Sequence, residues 1–112
     1  MLKGQCEEAI RYAQQGKVLL NQLGNNYIAS FAEVITILSE RELGHILIAR
    51  QMTQDFFNQY AEQHHTPCWI NAGTCMAVSL YEQNRQQEAK SLCEKLIMAV
   101  DYACATELVF YV

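Results

Sequence analysis

The sequence predicts an all-α fold, an array of antiparallel helix pairs repeating about every forty residues. Three observations predict it. Gly4-Gln5-Cys6-Glu7-Glu8-Ala9, Gly44-His45-Ile46-Leu47-Ile48-Ala49 and Asn84-Arg85-Gln86-Gln87-Glu88-Ala89 each place a turn-former five residues before an alanine, forty residues apart. Gly and Asn tolerate left-handed and tight-turn backbone, and Ala lets two helices approach closely. After each alanine, apolar residues recur at helical offsets of three and four. Between these stretches lie more apolar segments that carry their own helix caps.

Each element follows from its residues. The first helix is expected from about Cys6 to Leu23, with Ala9, Tyr12, Ala13, Gly16, Leu19, Leu20 and Leu23 on one stripe and Glu7, Glu8, Arg11, Gln14, Gln15 and Lys17 opposite. Gly24 stops it. YIASFAEVITIL, Tyr27 to Leu38, forms the next helix, placed from Asn26 to Glu42 with Asn25 or Asn26 as N-cap. A third runs from His45 to Glu62 and carries Ala49, Met52, Phe56 and Tyr60 on its stripe. CWINAGTCMAVSLY follows Thr66-Pro67 and is placed from Pro67 to Gln83. Thr caps it, and Pro takes the first helical position, where its missing N–H costs nothing. The last full helix spans Gln86 to Tyr102 with Ala89, Leu92, Cys93, Leu96 and Val100, after which Thr106 to Val112 opens another. The chain thus reads as a single repeat domain with units around 1–24, 25–64 and 65–104 and the start of a fourth at 105–112. Beginning on a second helix and ending within a first is the pattern expected of a piece of a longer array.

Composition narrows the classes. With 112 residues the chain builds one small domain with a thin layered core. The formal charge of -4, with lysines and arginines spread among acids, leaves no basic stripe for direct nucleic-acid contact. No window approaches the roughly 18 apolar residues of a membrane span, and Met-Leu-Lys-Gly is no secretory signal. Five cysteines, an odd number, fit free thiols in a reducing cytoplasm.

Two stretches carry a family resemblance, EEAIRYAQQGKVLLNQLGNNYIAS and QEAKSLCEKLIMAVDYACATELVFYV. The Gly-x-x-x-x-Ala junction resembles the tetratricopeptide (TPR) repeat, whose usual period is about 34 residues. The longer period resembles the TPR-like superhelical arrays of MalT-like, LuxR-family ATP-dependent transcriptional regulators of bacteria, over nearly the whole chain. Two departures stand out: Ile37 occupies a position usually small (Ala77 keeps it), and no proline closes the units after Tyr60 or Val100. The resemblance implies a non-catalytic sensor that binds an inducer or a regulatory protein, lying between a nucleotide-binding module and a helix-turn-helix. The sequence contains neither a Gly-x-x-x-x-Gly-Lys-Ser/Thr phosphate loop nor a basic recognition helix.

The resemblance also implies a concave groove lined by the first helix of each pair. Its positions here are Phe31, Val34, Leu38, Arg41 and Glu42, then Asn71, Thr74, Val78, Tyr81 and Glu82. A carboxylate-clamp TPR needs Lys and Asn there, and Val34 and Leu38 replace them. This mixed apolar and hydroxylated wall suits a small organic inducer or an amphipathic partner helix. The competing role for each apolar position is burial against the next repeat. A second functional reading therefore stays open: a protein-interaction scaffold without a small-molecule site, unrelated to transcription.

The remaining chemistry reads as structural. His64-His65-Thr66-Pro67-Cys68 gathers two imidazoles and a thiol but falls short of a four-ligand zinc site, so no metal and no cofactor are expected. Cys68 and Cys75 lie two helical turns apart, about 10 Å, too far for a disulfide. They read as small core fillers, as do Cys6, Cys93 and Cys104. No serine stands in a nucleophile motif with a histidine, and the carboxylates of Glu7, Glu8, Glu40 and Glu42 sit at helix ends where charge is ordinary; no enzyme is expected. The Ala9/Tyr12/Gly16/Leu20 stripe and the apolar segment Leu108 to Val112 predict self-association, as a homodimer about a two-fold axis.

Overall fold

The computed structural model describes residues 3–63 and 66–111. Among them it has five α-helices and no strand: α1 Lys3–Gln22, α2 Asn26–Glu42, α3 Ile46–Gln59, α4 Pro67–Glu82 and α5 Gln86–Tyr111. The chain divides into two compact units, Met1–Phe56 and Phe57–Val112, the division falling inside α3.

In the first unit α1 packs against α2 as a helical hairpin. Its buried residues are mostly small: Cys6 and Ala13 on α1, Ala29, Ala32 and Ile37 on α2. Ser30, Thr36 and Ser39 are buried with them. Such hydroxyls are tolerated because the helix backbone takes their hydrogens: Thr36 Oγ1 donates to the Ala32 carbonyl at 3.0 Å and Ser30 Oγ to that of Tyr27 at 2.6 Å. An ion pair between Lys17 and Glu33 ties α1 to α2.

In the second unit α4 packs against α5. Trp69, Ala72, Met76, Ala77 and Leu80 of α4 are buried, as are Ala89, Leu92, Leu96 and Ala99 of α5. Burial of each large side chain here contributes roughly 1.5–3 kcal/mol. At Gly73 the two helices pack closely, since a Cβ there would lie 2.6 Å from Leu96 Cδ2. The α4 N-terminus is capped as its sequence requires, with Thr66 Oγ1 accepting from the Trp69 N–H at 3.2 Å and Pro67 at the first helical position.

Three of the helix-to-helix turns are built alike. Gly24, Gly44 and Asn84 adopt left-handed backbone with φ of 77°, 84° and 63°. At each, the next residue's N–H closes back on the preceding helix: Asn25 to Leu20, His45 to Glu40, and Arg85 to Leu80, at 2.8–2.9 Å. The left-handed residue itself donates to Asn21, Arg41 and Tyr81 respectively. This is the Schellman pairing that satisfies orphan carbonyls at a helix end. The residue after the turn then starts the next helix, its carbonyl accepting from Ala29, Ala49 and Ala89. All three alanines are buried.

That geometry corrects the first cassette. Gly4 lies inside α1 without positive φ, and Ala9 is only half-buried. Gly24-Asn25-Asn26-Tyr27-Ile28-Ala29 makes the turn and buries the alanine instead.

Burial repeats in register between α2 and α4. Ala29, Ala32, Thr36, Ile37 and Ser39 have buried counterparts forty residues on at Trp69, Ala72, Met76, Ala77 and Ser79. Ala49 and Phe56 of α3 correspond likewise to Ala89 and Leu96 of α5. The expected stripe on α1 is the exception, since Tyr12, Leu19 and Leu23 are exposed. The final turn is absent too. Helix α5 runs unbroken to Tyr111, because Asp101-Tyr102-Ala103-Cys104-Ala105-Thr106 contains no Gly, Asn or Pro to stop it.

Candidate functional site

Helix α4 turns into α5 through Gln83, Asn84 and Arg85, and beside this turn the second unit opens a cleft of about 500 Å³. Ala77, Val78 and Tyr81 of α4 line it together with Gln86, Gln87, Ala89, Lys90 and Cys93 of α5. The small buried alanines Ala77 and Ala89 leave the space, and Val78 and Tyr81 flank it with exposed apolar surface. Its volume lies within the range of small-molecule pockets.

Charge around the cleft is unevenly distributed. Among the described residues Lys90 is the one charged side chain that lines it. The acid nearest in sequence, Glu88, is held by Arg85, whose guanidinium donates to both carboxylate oxygens, one of these bonds at 2.9 Å. The hydrogen bond from Arg85 holds the Glu88 carboxyl below its ordinary range, and the same bond with the carboxylate charge raises Arg85.

The first unit has a smaller and more polar cleft of about 290 Å³, lined by Gln14, Lys17, Val18, Asn21, Glu33, Thr36 and Met52. Lys17 and Glu33 neutralise each other within it.

Of the expected groove positions, Phe31, Leu38, Glu42, Thr74, Val78, Tyr81 and Glu82 are exposed, and Val34, Arg41 and Asn71 are half-buried. On α2, Tyr27 and Phe31 meet edge to face, ring centroids 5.1 Å apart. With Leu38 they form an outward apolar stripe. The Thr74 hydroxyl is turned to its own helix, donating to the Ile70 carbonyl at 2.8 Å. Val78 and Tyr81 belong to the cleft, whereas Asn71, Thr74 and Glu82 do not line it.

Sequence assigned Ala89 and Cys93 of the α5 wall to the packing stripe and gave Gln86, Gln87 and Lys90 no site role. Cys93 is exposed and lines the cleft, which corrects its reading as a core filler; Val100 is likewise exposed. Helical offset places Cys93 four residues from the buried Ala89, but Leu92, Leu96 and Ala99 take the buried face and turn Cys93 outward. Cys6 and Cys68 are buried, and Cys75 is half-buried. His64 and His65 lie outside the described residues. Among the described residues no three His, Cys, Asp or Glu side chains are grouped as metal ligands, and no helix is long and apolar enough to cross a membrane.

Compared with known protein families, curated proteins and solved structures, the chain finds no match.

Proposed function

We propose that the chain is a non-catalytic recognition segment of a TPR-like helical array. In this reading it serves a cytoplasmic bacterial regulator of the MalT-like, LuxR family and senses an effector or a regulatory protein. One observation carries the repeat reading: the turn at Gly44 and its buried Ala49 recur in the same backbone geometry at Asn84 and Ala89. Identical joints between helices are how a solenoid repeats its units. The outward residues of α2 and α4 supply the recognition surface, with Phe31, Leu38, Val78 and Tyr81 as its apolar contacts.

A scaffold that binds protein alone is the second reading, supported by the exposed Tyr27–Phe31 pair with Leu38, a stripe of the kind that receives an amphipathic helix. Two measurements separate the readings. Coding sequence on either side that contains a phosphate loop upstream and a helix-turn-helix downstream supports the regulator. Thermal shift across a metabolite library, repeated with Phe31→Ala and Tyr81→Ala, identifies a sensor by a stabilising metabolite whose effect one variant abolishes. A flanking sequence with neither module, together with no stabilising metabolite, overturns the sensor assignment.

A further inference from the structure

We propose that the α4–α5 cleft binds a small amphipathic monocarboxylate. The inference deepens the recognition reading, on which it rests, by naming the ligand class of one hairpin.

The walls select an apolar body. Ala77, Val78, Ala89 and the ring of Tyr81 present hydrocarbon around about 500 Å³, a space sized for a small organic molecule. The charge selects an anion. Among the described residues Lys90 is the only charged one that lines the cleft, and it has no ion pair or hydrogen bond there. Glu88 does not neutralise it, being engaged by Arg85. A cationic ligand would meet the ammonium of Lys90 as a like charge, and a neutral one would gain at most a hydrogen bond from it, without the charge attraction. One lysine against mostly apolar walls matches one carboxylate. A phosphate ester, which carries nearly two charges and more acceptors, needs additional donors to replace its water. Gln86 and Gln87 line the same cleft beside Lys90.

Cys93 reports on occupancy, since it is exposed and lines the cleft while Cys6 is buried elsewhere in the fold. The experiment follows alkylation of each cysteine in the full chain by peptide mass spectrometry. It compares phenylacetate, its uncharged isostere phenylacetamide, and sodium chloride at matched ionic strength. Phenylacetate, expected to bind with Kd of about 1 mM for so small a molecule, slows alkylation of Cys93 several-fold and leaves the other cysteines unchanged. Phenylacetamide and salt do not slow it. Lys90→Met abolishes the protection and Lys90→Arg retains it, with circular dichroism showing that both variants keep their helices.

Equal protection by phenylacetamide, or none by either, overturns the inference. So does protection of Cys93 that needs no ligand and grows with protein concentration, which assigns the cleft to a second copy of the chain. If the wild-type chain is not helical, or Cys6 reacts as fast as Cys93, the hairpin fold fails and the recognition reading falls with it. A helical chain with slow Cys6 and unprotected Cys93 defeats the ligand class alone.

Discussion

Gly16 and Gly44 show how backbone angle decides what a single residue does. Neither would bring an added Cβ within 4 Å of a neighbour, so space does not distinguish them. Gly44 has φ of 84°, where a Cβ is strained, whereas Gly16 is inside α1 with ordinary helical backbone. Gly16→Ala should therefore raise stability by about 0.5–1 kcal/mol, and Gly44→Ala should lower it by about 1 kcal/mol or more. Urea denaturation of the two variants checks both signs. At Glu88 the carboxyl titrates below its ordinary range because Arg85 hydrogen-bonds it. The sign follows: the pair's contribution is complete above the unfolded-state pKa and disappears as pH falls through the lowered folded-state value. Glu88→Gln should flatten that acid limb of a stability profile, an effect confined to low salt because the pair is exposed.

At the scale of the element, helix bounds were legible where caps and breakers were local. Asn25 and Gly44 bracket α2, and Thr66-Pro67 opens α4, so sequence placed both within a residue of their observed ends. The end of α1 and the starts of α3 and α5 also fell within a residue, whereas the start of α1 and the ends of α3 and α5 were misplaced. Gly4 shares the spacing of a turn cassette but lies within α1 without positive φ, and α5 continues because no Gly, Asn or Pro follows Tyr102. Only part of the candidate site was legible: Val78 and Tyr81 stand among the groove positions that the family resemblance implies. Lys90 and Cys93 were not, because the cleft exists only once α4 and α5 close around two alanines. That closure leaves no room at Gly73. A leucine there would drive into Leu96, and Gly73→Leu should destabilise the fold by about 1–3 kcal/mol, read as a lower denaturation midpoint with secondary structure retained.

Over the whole molecule, a large share of apolar side chain faces outward: Leu23, Leu47, Tyr81 and Met98 are each more than 60% exposed, Leu23 at 81% and Leu47 at 76%. Patches of this kind mark interaction surfaces. Sedimentation velocity at rising micromolar concentration should show reversible self-association, weakened by Leu23→Lys and Leu47→Lys if these residues supply the contact; a monomer throughout removes self-association from the account. The central claim is that left-handed turns followed by buried alanines join the helices, and it makes unequal demands on four alanines. Leucine placed at Ala29, Ala49 or Ala89 should overpack a buried site and lower unfolding free energy by about 1–3 kcal/mol. At Ala9, half-buried and not preceded by such a turn, the same change should cost less than about 1 kcal/mol. Equilibrium denaturation of these four variants tests the claim most directly. Three large losses with Ala9→Leu spared is the expected result, and an Ala9→Leu loss as large as the others, or tolerance of leucine at Ala49 and Ala89, would contradict it.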